Sequence, residues 1–559
     1  MVKITIDGKQ YEVEKNMTII QAAERNGITI PQFCWHPVLS VSGNCRVCLV
    51  EVDKTPKLVI ACATQVADGM VVHTNSERVI KARNAVLEFI LINHPLDCPI
   101  CDEAGECKLQ DYAYKYSVGE SRFEFEKVRK PKRVSLGSNV MLDVERCIMC
   151  SRCIRFCDEI AKKPQLVFTK RGDHVELTTY PGEQLDNPYS MNVIELCPVG
   201  ALTSKDFRFR ARVWDMSSTD TICVGCSRGC NTHMWVRNNE IMRLTPRLNT
   251  DVNNYWMCDH GRLNTFRHVN AGNRINSPMV RKDGILVEVG WEEAISKVAS
   301  EIKSYKKHEI AAIGSAYATN EDNFLLAKLM NFLGVKRISC LTHRKQGDRD
   351  DLLIQEDKTP NYRGAQEVGA VQDSSEANLP GLIEMLQTGK IKFLYVLDDD
   401  IAADPVFADA ISKLDYLVVH ASNENETAKR ADVVLASSTY AEKNGTMTNF
   451  QRRVQRIRPA VTTLEKDRAL DGLAMSRLDK FGAQNDRWTK GMQCDSRSSW
   501  RITCSIANVL GAKWRYAAAE EVFKEIASTI PSFRGLTYLK VGMNGAILGQ
   551  KKESVTVKE

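Results

Sequence analysis

What the sequence lacks narrows its function first. Across 559 residues no apolar run approaches the about 20 residues that a membrane span needs, the longest being stretches such as AVLEFILI from Ala85. A soluble or at most peripheral protein is therefore expected. The opening MVKITIDGKQYEVEKN alternates in polarity and has neither the apolar core nor the cleavage site of a secretory signal, so export is not expected and the cysteines are expected to meet a reducing cytoplasm. No G-x-G-x-x-G follows a strand-like run and no P-loop occurs, so a cradle for NAD or a nucleotide phosphate is not expected here.

Cysteine, by contrast, is abundant. There are 19, and 16 of them precede residue 260. In a reducing compartment, dense and regularly spaced cysteines read as metal ligands more readily than as disulfides. The length implies roughly three to five domains, and the first half has the look of a metal-binding array.

The first set is Cys34, Cys45, Cys48 and Cys62, separated by ten, two and thirteen residues. Around it, KITIDGKQYEVE reads as two strands joined at Asp7-Gly8, and MTIIQAAERNG as a helix stopped by Gly27. This arrangement resembles the ferredoxin-like, β-grasp domain that binds a 2Fe-2S cluster. A zinc site is the alternative, although zinc ligands usually pair in two short knuckles.

The second set, in LINHPLDCPICDEAGECKLQDY, is His94, Cys98, Cys101 and Cys107. It follows an amphipathic helix that Pro95 ends, which leaves the ligands on a loop. Three thiols here lack a fourth partner, and the imidazole supplies one. A neutral imidazole brings no charge where a thiolate brings one, so a His/Cys3 cubane is less negative and, other factors equal, easier to reduce.

The third set lies in ERCIMCSRCIRFCDEI, with Cys147, Cys150, Cys153 and Cys157, and continues at Cys197 in NVIELCPVGAL. In two-cluster ferredoxins the fourth cysteine of such a run serves the other cluster and the remote Cys-Pro completes the first. No three-cysteine run precedes the Cys-Pro here, so Cys147, Cys150, Cys153 and Cys197 are assigned to one 4Fe-4S cluster and Cys157 to the core. The alternative makes Cys157 the ligand and leaves Cys197 free.

The fourth set is Cys223, Cys226 and Cys230 in CVGCSRGC and, after 27 residues, Cys258 in WMCDHGR. Between them HMWVRNNEIMRLTPR reads as a hairpin turning at Asn238-Asn239, which returns the last cysteine to the others. The spacing resembles the 4Fe-4S domain at the start of molybdopterin oxidoreductases. Fifteen cysteines and one histidine then fill four sites, leaving Cys157, Cys340, Cys494 and Cys504.

The formal charge of +6, with KVRKPKR at 127–133, raises the question of nucleic acid or an acidic surface. Clusters of about −2 each at the all-cysteine sites and about −1 at the histidine site bring the loaded chain close to neutral. No nucleic-acid-binding module accompanies the basic run.

Beyond residue 270 strand and helix patterns alternate: HEIAAIGSA before NEDNFLLAKLMNFLG, and KFLYVLDDD before PVFADAISKL and then YLVVHAS. Such alternation predicts a parallel sheet covered by helices. The stretch from Thr462 to Ser499 reads as a long polar loop and GQKKESVTVKE as a frayed tail. Residues 426–455, ETAKRADVVLASSTYAEKNGTMTNFQRRVQ, resemble the segment with which molybdopterin enzymes wrap their cofactor. Cys340 in KRISCLTHRK does not match the metal-ligating motif of formate dehydrogenases, so a relic scaffold without molybdopterin is expected.

Four cluster motifs in this order, then a shortened molybdopterin-like domain, resemble the large iron–sulfur subunit family of bacterial NADH:quinone oxidoreductase, respiratory complex I. The resemblance implies a multidomain α+β and α/β chain: a 2Fe-2S domain at 1–78, a His/Cys3 4Fe-4S domain at 79–118, a ferredoxin-like 4Fe-4S domain at 119–215, a 4Fe-4S domain of the molybdopterin type at 216–272 and a truncated molybdopterin-oxidoreductase-like domain at 273–559. It further implies one 2Fe-2S and three 4Fe-4S clusters, with FMN and NADH on a partner subunit. Single electrons then pass from that partner toward quinone-proximal iron–sulfur subunits at the cytoplasmic face of the membrane, the fourth cluster lying off the main path. No catalytic residue is assigned. Two other families share N-terminal modules. A formate dehydrogenase requires a pterin and a metal-binding Cys, and an iron-iron hydrogenase requires later cysteine pairs that this sequence lacks.

Overall fold

The structure is a computed structural model and describes every residue except 118, 373, 375–377, 466–490 and 550–559. Most of the predicted Thr462–Ser499 loop and nearly all of the predicted tail therefore lie outside the described residues. The chain divides into two compact units, Met1–Val213 and Trp214–Glu559.

The first unit opens with β1 (Val2–Ile6) and β2 (Lys9–Val13), paired antiparallel from Val2↔Val13 to Ile6↔Lys9. Two residues join them, Asp7 and Gly8, with φ of 45° and 81°, the left-handed pair that a two-residue hairpin demands. Val2, Ile4 and Ile6 point inward onto helix α1 (Ile19–Arg25). Thr18 and Gln21 close a reciprocal capping box at the start of α1. Strands β3 (Leu49–Val52), β4 (Val59–Ile60) and β5 (Val71–His73) complete a five-stranded sheet in the order β2-β1-β5-β3-β4, with β1 and β5 parallel.

Helix α2 (Glu77–Ile92) follows, capped by Ser76, and ends at Asn93, two residues before Pro95. Helix α3 (Lys108–Tyr116) lies beyond the second cysteine loop. Small sheets made of β6 (Val134–Ser135), β7 (Val140–Leu142), β8 (Leu166–Thr169), β9 (Glu176–Thr179) and β10 (Leu202–Ser204) frame the third set, together with the short helices α4 (Arg152–Arg155) and α5 (Asn192–Leu196).

The second unit begins with the antiparallel sheet β11 (Ser217–Ile222), β12 (Asn231–Arg237) and β13 (Glu240–Pro246). Asn238 and Asn239 make its turn at φ of 51° and 62°, as the sequence predicts. After α6 (Asp259–Asn264) come β14 (Met279–Lys282), β15 (Ile285–Glu288), α7 (Trp291–Ser304), β16 (Ile310–Gly314), α8 (Asn320–Leu333), β17 (Ile338–Cys340), β18 (Phe393–Val396), β19 (Tyr416–Ala421) and β20 (Val433–Ala436). They form a seven-stranded sheet in the order β15-β14-β20-β19-β18-β16-β17, parallel from β20 to β17. Every residue of β16, β18 and β20 is buried, which explains why these strands read as continuous apolar runs.

Candidate metal centres

In the first set the thiols pair: a hydrogen bond with its partner pushes Cys45 up and pulls Cys34 down, and likewise pushes Cys48 up and pulls Cys62 down. The second pair also feels the first, Cys48 through Cys34 and Cys62 through Cys34 and Cys45. All four therefore share one site, three of them buried.

The third set behaves alike. Burial pushes the Cys147 thiol up to about 12 and those of Cys153 and Cys197 well above the usual thiol value, and neighbouring thiols add to the shift. Cys197 is acted on by Cys150 and Cys147, and Cys153 by Cys150, Cys147, Cys197 and Cys157. Cys157 sits fully buried in the turn Phe156–Ile160, where burial alone raises it to about 12. The remote Cys197 thus stands among the three cysteines of the run.

The fourth set converges as well. Cys223 follows β11 and Cys230 precedes β12, with the Cys223 N–H donating to the Cys230 carbonyl at 2.7 Å. Cys230 is acted on by Cys223, Cys226 and Cys258, after burial as the main cause of its raised thiol. A Cβ on Gly261 would lie 2.9 Å from Cys223 Sγ and 3.3 Å from Cys258 Sγ, so only glycine leaves the space between those sulfurs open.

The second set is the loosest. Cys101 feels Cys98, and Cys107 feels Cys101. His94 joins them through a shared neighbour, the Arg146 guanidinium, which acts on both His94 and Cys101. Burial first, then Arg146 and Lys127, depress the imidazole to about 4, which keeps it in the neutral form that binds metal. Cys98 is exposed.

Local backbone geometry suits negative sulfurs. Cys107 caps α3 and accepts from the Gln110 N–H at 3.5 Å, and Cys258 caps α6 and accepts from the Gly261 N–H at 3.3 Å. An N-terminal helix turn stabilises a thiolate. Arg46, Met149 and Ser151, interleaved with the cysteines, take φ of 57°, 55° and 61°. Left-handed residues alternating with right-handed ones turn successive N–H groups toward one concavity, an anion-binding nest. Grouped, desolvated thiols ringed by N–H donors fit a cofactor that holds them as thiolates. Among the described residues no three His, Cys, Asp or Glu side chains converge on the point a single metal ion would occupy. A cluster sets iron and sulfide between its thiolates and does not require that convergence.

Contacts within the first unit order three of the sets. Asn44 donates to the Met149 carbonyl at 2.8 Å, the Ser40 N–H to Glu159 at 2.8 Å, and Arg155 to the carbonyls of Cys34, Ser40 and Cys150, which straps the first loop onto the third. On the other side the Lys108 N–H donates to the Pro198 carbonyl at 3.1 Å, and a Cβ on Gly200 would lie 2.2 Å from Cys101 Sγ. The third set therefore lies between the first and the second. Sequence reasoning missed these arginines and glycines. The recurrent Arg in CSRCIR was the available signal.

Cys340, Cys494 and Cys504 contact the Leu341 carbonyl, Asn276 and Asn508 respectively, and none of these partners is a thiol. At the carboxyl ends of β16, β18, β19 and β20 a cavity of about 280 Å³ is lined by Asp398, Asp399, Asp400, Ser438 and Lys443 among others. This is the switch point where parallel sheets bind ligands. The carboxylates oppose the pyrophosphate of a pterin dinucleotide, and the volume falls below the about 300–1,000 Å³ of ordinary ligand sites.

Comparison with known families bears on each region. Residues 1–77 match the 2Fe-2S iron-sulfur cluster binding domain, 83–122 the NADH-ubiquinone oxidoreductase-G iron-sulfur binding region, and 137–203 the ferredoxin-like domain of NADH-quinone oxidoreductase subunit 3. Residues 216–265 match the NDSU1/NuoG-like 4Fe-4S domain, and 274–376 with 357–469 match molybdopterin oxidoreductase. The G subunit of NADH-quinone oxidoreductase from Rickettsia felis is 43% identical over 339 residues, 61% of this chain and 50% of that one. The NADH-ubiquinone oxidoreductase 75 kDa subunit of Reclinomonas americana is 40% identical over 388 residues, 68% of this chain and 56% of that one. The mitochondrial 78 kDa subunit of Candida albicans is 40% identical over 341 residues, 60% of this chain and 47% of that one. This chain thus spans about half the length of the curated relatives it matches. Over the matched residues, with its 2Fe-2S, 4Fe-4S and molybdopterin-oxidoreductase regions in that order, the chain is a homologue of the NADH-quinone oxidoreductase G and 75 kDa subunits.

Proposed function

We propose that this chain is an electron wire: one 2Fe-2S cluster on Cys34, Cys45, Cys48 and Cys62, and 4Fe-4S clusters on His94/Cys98/Cys101/Cys107, on Cys147/Cys150/Cys153/Cys197 and on Cys223/Cys226/Cys230/Cys258. When bound, the clusters supply one-electron chemistry. The chain's own residues supply ligands, burial and spacing, which set each potential. Electrons come singly from an FMN-bearing partner and leave toward quinone-reducing subunits, within the NADH dehydrogenase arm at the cytoplasmic face of the membrane. The domains follow the limits 1–78, 79–118, 119–215, 216–272 and 273–559, the last without molybdopterin.

The observation that carries this reading is the mutual action of four thiols at each of three separate sites, with no general acid, base or nucleophile assigned beside them. The strapped contacts support a hop from the first set to the third and then to the second, an order that differs from the sequence order. Iron and molybdenum counted on one anaerobic sample, with low-temperature EPR after reduction, test it. About 14 iron atoms per chain and no molybdenum are expected, from one two-iron and three four-iron clusters. Stoichiometric molybdenum would favour a formate-dehydrogenase-like subunit, and a colourless, zinc-containing protein would end the proposal.

A further inference from the structure

The geometry points to Arg152 as a shared counter-cation of the first and third metal sites, a positioning residue that raises the potential of both clusters together. The inference rests on the cluster reading above.

Arg152 opens α4 between Cys150 and Cys153 and is only 4% exposed. Its guanidinium reaches both sites. One Nη donates to the Leu196 carbonyl at 3.3 Å, the peptide that leads into Cys197. The other donates to Gln32 Oε1 at 2.7 Å and to the carbonyl of Trp35, the residue after Cys34. Its Nε has no hydrogen-bond partner. Among the described residues none of its hydrogen bonds goes to a carboxylate. The acidic groups that act on it are Cys150, Cys34, Cys197 and Cys45, two from each site.

A guanidinium remains charged in any folded protein, and a buried charge without a counter-ion is costly. Carbonyl oxygens solvate it but do not neutralise it. The thiolates of two clusters, each about −2 when oxidised, do. The other basic groups that face Arg152 are Lys108 and His36; burial and then Arg152 depress His36 to about 4, so it is neutral and only Lys108 adds a positive charge. Arg155 straps the same loops but is only half-buried. The equivalent arginine near the second site, Arg146, is neutralised locally by Asp97 at 3.0 Å and Asp143 at 3.2 Å. Of these two buried arginines, Arg152 has its charge left for the clusters on both sides. An electron arriving at either cluster adds one negative charge, and a fixed cation beside it favours that reduced state.

The test is an EPR-monitored redox titration of the full iron-loaded chain in wild-type, Arg152→Gln and Arg152→Lys forms. Removing the charge in Arg152→Gln is expected to lower the reduced-to-oxidised ratio about tenfold at a fixed poise, about 59 mV, at both the 2Fe-2S cluster and the Cys147-set cluster. The His94-set cluster stays in place on the potential scale. Arg152→Lys keeps the charge but loses the planar fork, and both ratios are expected within about twofold of wild type. A purely structural role would alter cluster content or linewidth without this paired, charge-dependent shift. Wild-type potentials in a fully loaded Arg152→Gln protein, or a shift at one cluster only, overturn the inference. If Arg152→Gln does not assemble, a tenfold fall in loaded Arg152→Lys overturns it instead. Wild-type protein without iron–sulfur signals overturns the cluster reading itself, and the role of Arg152 with it.

Discussion

The two units hold some of their buried cations in different ways, although the first also contains a buried arginine–carboxylate pairing, Arg146 with Asp97 and Asp143. In Trp214–Glu559 buried cations meet carboxylates: Arg274 holds Glu442 with two bonds of 2.8 and 2.9 Å, and Lys443 holds Asp322 at 2.8 Å. In Met1–Val213 two buried arginines do not. Arg83 donates to the carbonyls of Val47, Leu49 and Thr74, and Arg152 to those of Trp35 and Leu196. Both feel a predicted ligand cysteine, Cys48 and Cys150 respectively. The second unit thus completes these charge pairs from its own side chains and closes a large apolar core around its parallel sheet. In the first unit Arg83 and Arg152 instead face the predicted ligand cysteines.

The largest effect should follow from removing iron. Chelation under reducing conditions is expected to abolish amide protection around residues 31–65 and 145–200 while leaving β16, β18, β19 and β20 protected, as read by hydrogen exchange. Uniform loss across both units would break the comparison. Next in size, Glu442→Ala leaves Arg274 buried and unpaired, and breaking such a pair should cost the second unit about 3–5 kcal/mol in a urea melt.

A third prediction concerns pH. Burial lifts the Glu321 carboxyl from 4.5 to about 7 against the hydrogen bonds from Thr446 and Tyr538. The folded protein therefore keeps this proton where the unfolded chain has released it. The stabilising contribution is full below about pH 4.5 and is lost as pH rises through about 7, up to about 3 kcal/mol across the window. Glu321→Gln should flatten that dependence in denaturation curves recorded from pH 4.5 to 8. A slope unchanged by the substitution would assign the dependence to other groups. The smallest effect is local: Thr18→Ala removes half of the capping box of α1 and should lower the melting stability of the first unit by about 1 kcal/mol, with iron content unchanged.

Much of this was legible in sequence because it depends on spacing along one chain segment. The Asp7-Gly8 and Asn238-Asn239 turns, the end of α2 just before Pro95 and the strand–helix alternation after residue 270 follow from local rules, and the structure shows them where those rules put them. Ligand candidates were legible for the same reason, since cysteines two or three residues apart necessarily share a loop. Cys197 shows where that reasoning becomes weaker. Spacing left it in competition with Cys157; in the folded chain Cys197, at the end of α5, is acted on by Cys150 and Cys147, while Cys157 is buried in the turn Phe156–Ile160 and acts on Cys153.

Sequence by itself determined how many thiols there are, their grouping and the class of anion-rich cofactor they suit, because those properties belong to residue type and short-range spacing. Only the tertiary structure decided which group neighbours which. The third set came to lie between the first and second, and Arg152 between the first and third, because loop-to-loop hydrogen bonds join residues more than a hundred positions apart. Such contacts leave no periodicity in the chain. They arise when separately folded loops must satisfy one another's carbonyls and charges at close range.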